Sequence, residues 1–238
     1  MKISQLTALG TASLLLAACG STATPAAAPS QTMTGALASV SNSVVRLTGD
    51  AKDCGRREHG SGFVVGKDLV ITNAHVVAGV TDVMVDGPAT SKPLTGTVVY
   101  FDPNVDTALV RVPGLGLNPL TIGDALTAGS AAKLIGYPEG NSQVTADGSV
   151  VRTFSAATQD IYNSVDVTRE LYEVSVTVNH GNSGGPLVDE QGVVHGMVFA
   201  KAPDKDATAY VLLPDAVNYV VTQGASATTA LATKCIPN

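Results

Sequence analysis

Short apolar runs, each about the length of one β-strand and each bounded by turn residues, recur through most of this 238-residue chain. Val, Ile, Thr and Tyr are frequent within the runs, and these residues favour strands. The residues between the runs are mostly Gly, Pro, Asp and Asn, which favour tight turns. The number and spacing of the runs predict an all-β domain of the sandwich or barrel type. Examples are GFVVG, LVITN, LTGTVVYFD, AKLIGYP, VVHGMVFA and ATAYVLL.

Helical signals are few. GALASVSNSVVRLTG predicts a short helix followed by a strand, and AHVVAG predicts a single helical turn. PDAVNYVVTQG has Pro214 near its start and Gly224 at its end, so it predicts a C-terminal helix. Residues 113–129 break the strand pattern and indicate a crossover between two halves, with a boundary near residue 120.

The N-terminal segment, residues 1–19, has the organisation of an export signal. Lys2 is followed by an apolar stretch too short to span a bilayer, which ends in Leu16-Ala17-Ala18-Cys19. These four residues resemble the lipobox of bacterial lipoproteins, which implies cleavage before Cys19 and lipidation of its thiol. The alternative is an ordinary secretory signal with a chance cysteine. We therefore expect an exported domain, held by lipid on the outer face of the cell membrane or secreted.

The segment after the signal, residues 20–36, predicts a flexible linker because it is rich in Ala, Pro, Ser and Thr and has no charge. The whole chain carries a net charge of −6 and no basic run. This charge argues against nucleic acid as a main partner, and it would not hold the folded domain on an anionic membrane surface. The expected membrane contact is therefore the lipid on Cys19.

Cys54 and Cys235 are the two cysteines that remain when Cys19 is assigned to lipid. An exported chain enters an oxidising compartment, where two such cysteines are expected to pair. Two free thiols are the alternative.

The stretch NHGNSGGPLV, residues 179–188, has two interpretations. It could be only a glycine-rich turn before a buried strand. It could instead expose Ser183 as a nucleophile and direct the backbone N–H groups of Gly181 and Ser183 into an oxyanion hole. A turn needs nothing elsewhere in the chain, whereas a nucleophile needs a general base and a group that orients the base.

Four histidines are candidates for the base. His75 is the best placed, because it follows a buried-looking strand in LVITNAHVVAG and would stand at the end of a rigid element. His59 lies in a charged loop-like stretch, and His195 lies inside a strand. His180 is too close to Ser183 along the chain to approach it from the opposite wall of a cleft, so we expect it to contact substrate instead.

Two aspartates in FDPNVDTALVRV are candidates for orienting the base. Asp102 precedes Pro103-Asn104, so it is expected to cap that turn. Asp106 stands at the head of a buried strand, where an ionised carboxylate is costly unless it is hydrogen-bonded. Asp106 is therefore the better candidate for a paired role.

At these residues the chain resembles the chymotrypsin-like serine proteases. TNAHVV, VDTALV and GNSGGPLV are similar to the three signature segments of that family and occur in the same order. GSGFVV, GYPEG, HGMVFA and ATAYVLL resemble its HtrA-type and MarP-like actinobacterial acid-resistance branch. The resemblance implies two six-stranded β-barrels, over residues 37–120 and 121–238, with a short C-terminal helix in the second part.

The resemblance also implies an activity and a site between the barrels. His75 and Asp106 from the first barrel and Ser183 from the second would form the catalytic triad of a serine endopeptidase that acts on proteins or peptides. No cofactor and no metal ion is expected. The alternative is a catalytically silent, surface-anchored protein-binding module with the same fold.

Further site residues follow from the same resemblance. Cys54 and Cys235 match the disulfide positions of MarP-like domains. Asn182 is neutral where the digestive enzymes carry Asp, so activation through a freed N-terminal amine is not implied. Residues near the primary substrate pocket, besides His180, are Thr177, Phe199, Ala200 and Thr208. None of these is acidic, so we expect a neutral substrate residue there rather than Arg or Lys.

Overall fold

The computed structural model of the chain describes residues 35–237, which form twelve β-strands and three α-helices. The predicted export signal with Cys19, and nearly all of the predicted linker, lie outside the described residues. The helices are α1 (Ala36–Asn42), α2 (Ala74–Val77) and α3 (Pro214–Gly224).

The first six strands close into one antiparallel barrel. Neighbouring strands follow the order β1-β2-β3-β6-β5-β4, and pairing of β1 with β4 completes the ring. Closure leaves no unpaired strand edge in the barrel. The strands are β1 (Val44–Ala51), β2 (Arg56–Gly66), β3 (Leu69–Thr72), β4 (Val83–Asp86), β5 (Leu94–Asp102) and β6 (Thr107–Arg111).

The last six strands close into a second antiparallel barrel. Their order is β10-β11-β12-β9-β8-β7, with β10 pairing back to β7. The two six-stranded barrels and the C-terminal helix confirm the predicted fold class. The strands are β7 (Ala131–Gly136), β8 (Val144–Gln159), β9 (Asp166–Ser175), β10 (Pro186–Val188), β11 (Val194–Lys201) and β12 (Thr208–Leu212).

Three clusters of buried apolar side chains form the core. One cluster fills the first barrel and one fills the second. The third joins the barrels, because it contains Phe63 and Ile71 from the first, Leu171 from the second, and Val217 from α3. The segment between β6 and β7 forms no strand and makes only one isolated bridge, from Ile122 to Val194.

The helices are short, and none within residues 35–237 combines the length and the apolar composition required to cross a bilayer. α1 lies within the stretch for which the sequence predicted a short helix, and α3 begins at Pro214 and ends at Gly224, as the sequence predicted. Arg111 of β6 holds the chain after α3, since its guanidinium donates to the carbonyls of Ala225 and Ala227.

A disulfide joins Cys54 to Cys235 across 181 residues of sequence, which confirms the predicted pairing. In the chain-entropy model, closing a loop of this length stabilises the folded state by about 5 kcal/mol relative to the unfolded chain. The segment before Cys235 also contacts the first barrel directly. Thr233 Oγ accepts from the N–H of Gly79 (2.8 Å) and donates to the carbonyl of Val77 (3.0 Å), next to α2.

Candidate active site

A cleft of about 630 Å³ contains residues from both barrels. His75, Asp106 and Ser183 all line it, although they come from three separate parts of the sequence. The fold brings them together, because α2 follows a strand of the first barrel and the Ser183 turn precedes a strand of the second.

The pairing of β3 with β6 places His75 beside Asp106. These strands are antiparallel, with Thr72 opposite Ala108, so the end of β3 meets the beginning of β6. His75 lies just after the end of β3 and Asp106 lies just before β6. The register of one buried strand pair therefore determines the distance between the two side chains.

Both carboxylate oxygens of Asp106 bond to His75. Oδ2 lies 2.7 Å from the ring Nδ1, and Oδ1 accepts from the backbone N–H of His75 at 2.9 Å. Asp106 is only 1% exposed, and its backbone has a positive φ of 59°. Its own carbonyl accepts from Nδ2 of Asn73 (2.9 Å), which holds this unusual backbone conformation. Because Nδ1–H donates to the carboxylate, Nε2 remains free to accept a proton.

The local electrostatics favour the protonated ring. Burial of the His75 imidazole opposes its charged form, but the negative charge of Asp106 and its hydrogen bond to Nδ1 outweigh burial. The pKa of His75 is therefore raised above its usual value, with a further contribution from Glu58. A raised pKa makes the ring a stronger base toward a neighbouring hydroxyl.

Asp102, the other candidate, has the plain role that the sequence predicted. Its Oδ1 accepts from the backbone N–H groups of Asn104 (2.9 Å) and Val105 (3.1 Å), which caps the turn before Asp106.

The Ser183 turn is anchored to both barrels. The N–H of Ser61 on β2 donates to the Ser183 carbonyl (2.8 Å), and the N–H of Gly184 donates to the Val198 carbonyl on β11 (3.0 Å). Gly184 has a φ of 85°, and a Cβ there would overlap the carbonyl of Ser61. Only glycine can therefore follow Ser183 without moving β2 away.

The two backbone N–H groups predicted for an oxyanion hole have no acceptor in the part of the chain that the structure describes. Within residues 35–237, neither the N–H of Gly181 nor that of Ser183 donates to another residue. Two unoccupied donors beside a partly exposed serine can bind a negatively charged oxygen.

The match to a family model adds to this geometry. Residues 60–197, more than half of the chain, match the trypsin-like peptidase domain. The chain belongs to the trypsin-like peptidase family. The predicted resemblance is thereby confirmed.

Individual members of the family support the same assignment. The chain is 38% identical over 178 residues to the serine protease Rv3671c of Mycobacterium tuberculosis, a match that covers 74% of this chain and 44% of the relative. It is 33% identical over 148 residues to a probable periplasmic DegP-like serine endoprotease of Halomonas elongata, covering 60% of this chain and 29% of that one. The chain thus spans less than half the length of these relatives.

Solved structures of Rv3671c share the fold of this trypsin-like peptidase. The crystal structure of its active form superposes with a TM-score of 0.81 at 35% identity, covering 85% of this chain and 89% of the other. The inactive form gives a TM-score of 0.70 at 34% identity, covering 80% and 93%.

Three of the five residues predicted near the substrate pocket of this peptidase line the cleft: His180, Phe199 and Ala200. The structure does not bring the other two there. Thr177 is exposed and outside the lining. Thr208 is buried on β12, where it pairs with Ser175 and donates to the Asp206 carbonyl.

The cleft also contains residues that were not predicted from the sequence. Arg169 of β9 is 5% exposed, donates to the Gln159 carbonyl, and has its guanidinium 5.1 Å from the centre of the Phe199 ring. Burial lowers the pKa of Arg169. Ile236, beside the disulfide, lines the cleft as well. No local motif marks either residue, since each reaches the cleft only through contacts between distant segments.

Proposed function

We propose that this chain is a serine endopeptidase that hydrolyses peptide bonds of proteins or peptides through Ser183, His75 and Asp106. The observation that carries the proposal is the pair of hydrogen bonds that fixes His75 on Asp106 in the same cleft as Ser183. Membership of the trypsin-like peptidase family supports it.

The proposed reaction is acyl transfer. Ser183 Oγ attacks the substrate carbonyl carbon while Nε2 of His75 takes its proton. Asp106 keeps the ring in the tautomer that has Nε2 unprotonated, and it stabilises the imidazolium that forms. His75 then gives the proton to the leaving amine, so the C–N bond breaks and an acyl-enzyme remains. Water, deprotonated by His75, hydrolyses that ester.

The negative oxygen of the tetrahedral intermediate would accept from the N–H groups of Gly181 and Ser183. Their lack of any other acceptor among residues 35–237 supports this role. A donor that is already oriented stabilises developing charge without reorganisation during the reaction.

A fluorophosphonate probe tests the proposal, because it phosphonylates a serine only where a base and an oxyanion hole activate it. We expect one adduct per chain by intact mass, mapped to Ser183 by peptide sequencing. Ser183→Ala should give no adduct, and Ser142→Ala, at an exposed serine, should label as the wild type does. An unlabelled wild type would favour the alternative, a silent binding module with the same fold.

We further propose that the chain is exported and held by a lipid on Cys19 at the outer face of the membrane. The order of Lys2, the apolar stretch and Leu16-Ala17-Ala18-Cys19 supports this localisation. A lipid chain and the uncharged linker after it would leave the catalytic domain free to reach protein substrates.

The lipid proposal predicts that cell fractionation finds the mature protein in the membrane fraction and that its N-terminal peptide carries a diacylglycerol mass on Cys19. Cys19→Ser should abolish both, whereas Ser21→Ala should retain them. A mature N-terminus without added lipid mass would contradict tethering and leave the ordinary secretory signal as the explanation.

A further inference from the structure

We propose that Arg46, in the first barrel, is a positioning residue for the oxyanion hole in the second. Arg46 does not line the cleft. It holds the turn Pro138–Gly140 in place. That turn fixes the orientation of the peptide between His180 and Gly181. The inference rests on the proposed function of Ser183 and its oxyanion hole.

The turn Pro138–Gly140 orients the His180–Gly181 peptide through a backbone hydrogen bond. The carbonyl of His180 accepts a 2.6 Å hydrogen bond from the backbone N–H of Glu139. In a trans peptide the C=O and N–H groups point in opposite directions. A carbonyl held toward Glu139 therefore directs the Gly181 N–H away from the turn, where it has no acceptor among residues 35–237.

Gly181 packs closely against the segment that leads into this turn. Gly181 has a φ of 91°, and a Cβ there would overlap the Tyr137 carbonyl. Ser61 bonds both segments, since its Oγ accepts from the Tyr137 N–H (2.9 Å) and donates to the Gly181 carbonyl (2.6 Å). The turn and the Gly181 loop therefore share contacts on both sides of the peptide, and displacing one disturbs the other.

The turn has a strained backbone, and Arg46 holds it in place. Glu139 has a positive φ of 55° and Gly140 one of 66°, so two consecutive residues adopt the left-handed conformation. For the non-glycine residue this is costly unless other contacts hold it. Nη1 of Arg46 donates to the Gly140 carbonyl at 2.7 Å, across 94 residues of sequence.

The arginine is itself rigidly oriented. Arg46 and Asp86 are opposite one another on β1 and β4, and Asp86 accepts from Nε (2.9 Å) and Nη2 (2.7 Å). This two-bond fork leaves Nη1 directed at Gly140. A lysine at position 46 would keep the charge but would lack the planar fork that bonds the carboxylate and the carbonyl together.

The chain offers a matched control for removing Arg46. Lys133 and Asp147 also form a cross-strand ion pair, on β7 and β8, but neither residue bonds the turn or the Gly181 loop. We therefore compare Arg46→Met and Arg46→Lys with Lys133→Met, using the full chain. The two readouts are the hydrolysis of matched oxoester and thionoester substrates, and amide hydrogen exchange over residues 138–141 and 179–182.

Arg46→Met is expected to lower kcat for the oxoester by about 10- to 100-fold with little change in KM, because loss of one oxyanion donor lowers kcat by about 10²- to 10³-fold and the loop would keep part of its population correctly oriented. The rate ratio of oxoester to thionoester should fall, since sulfur gains little from the oxyanion hole. Arg46→Lys should lie between wild type and Arg46→Met. Exchange should become faster in both segments only in the Arg46 variants.

Wild-type exchange in both segments of Arg46→Met would overturn the proposal, whether or not the protein turns over ester. Wild-type kcat and an unchanged oxoester-to-thionoester ratio in Arg46→Met would also overturn it. An equal loss in Lys133→Met would overturn it as well, because the effect would then come from losing any cross-strand ion pair rather than from the Arg46–Gly140 contact. A wild type that hydrolyses no ester would instead count against the proposed function, and the exchange data would still decide the role of Arg46.

Discussion

Replacement of Ser183 by Ala is expected to lower kcat for a peptide amide by about 10⁶-fold, because nucleophile and base act as one unit. For the same reason His75→Ala should lower kcat by a similar factor, and kcat of the double variant should be little lower than that of either single variant. A residual acceleration of about 10³- to 10⁴-fold over water should remain, supplied by substrate binding and by the N–H groups of Gly181 and Ser183. Single-turnover kinetics with purified variants would measure these values.

The decisive quantity is the coupling between the two substitutions. If Ser183 and His75 were independent contacts, their losses in activation free energy would add, and the double variant would be far slower than either single variant. Additive losses would contradict a shared role in proton transfer. Ser142→Ala, at an exposed serine, controls for loss of a hydroxyl and should keep wild-type kcat.

Local sequence signals predicted those helices and turns whose ends are marked by proline, glycine or a capping aspartate. Pro214 and Gly224 bound α3 as expected, because proline suits the first turn of a helix and glycine suits its end. The distinction between Asp102 and Asp106 was also readable. One precedes a proline turn and caps it, whereas the other would be buried at a strand end and needs hydrogen bonds.

The extent of β8 was not readable from its sequence. The apolar run GSVVRTF indicated a strand of ordinary length, but β8 continues to Gln159, sixteen residues in all. Its second half pairs with the start of β9 and is largely exposed, although Phe154 and Ala156 pack against the core cluster that joins the barrels. A segment with only two such contacts gives a weak hydrophobic periodicity, which does not mark where the strand ends.

The contacts around the cleft depend on residues that are far apart in sequence. Arg46 meets Gly140 across 94 residues, and Ser61 meets Gly181 across 120. Arg169 and Ile236 reach the cleft in the same way. The spacing of residues within one segment cannot predict such pairs, because they exist only after both barrels have closed and packed together.

Replacement of Asp106 by Asn is expected to lower kcat by about 10⁴-fold through the wrong tautomer of His75. Asn tolerates a positive φ like the 59° observed here, so the backbone should be retained. The backbone N–H of His75 needs the acceptor that Oδ1 now provides, which leaves the new amide NH₂ facing Nδ1. Nδ1 must then accept, the proton moves to Nε2, and the ring no longer takes the proton of Ser183.

The pH dependence separates this tautomer effect from simple damage to the cleft. The raised pKa of His75 depends on the charge of Asp106 and on its hydrogen bond, and Asn supplies neither the charge nor an acceptor at Nδ1. The pKa of His75 should therefore fall, and since the ring must be neutral to act as base, the acid limb of kcat/KM should move to lower pH. Asp102→Asn keeps an oxygen that can cap the turn, so it should change neither kcat nor the pH at which the acid limb of kcat/KM lies. Two results would contradict this role of Asp106: a kcat for Asp106→Asn lowered by tenfold or less, or an acid limb of kcat/KM that stays in place. Either would show that Asp106 does not orient the His75 ring and raise its pKa.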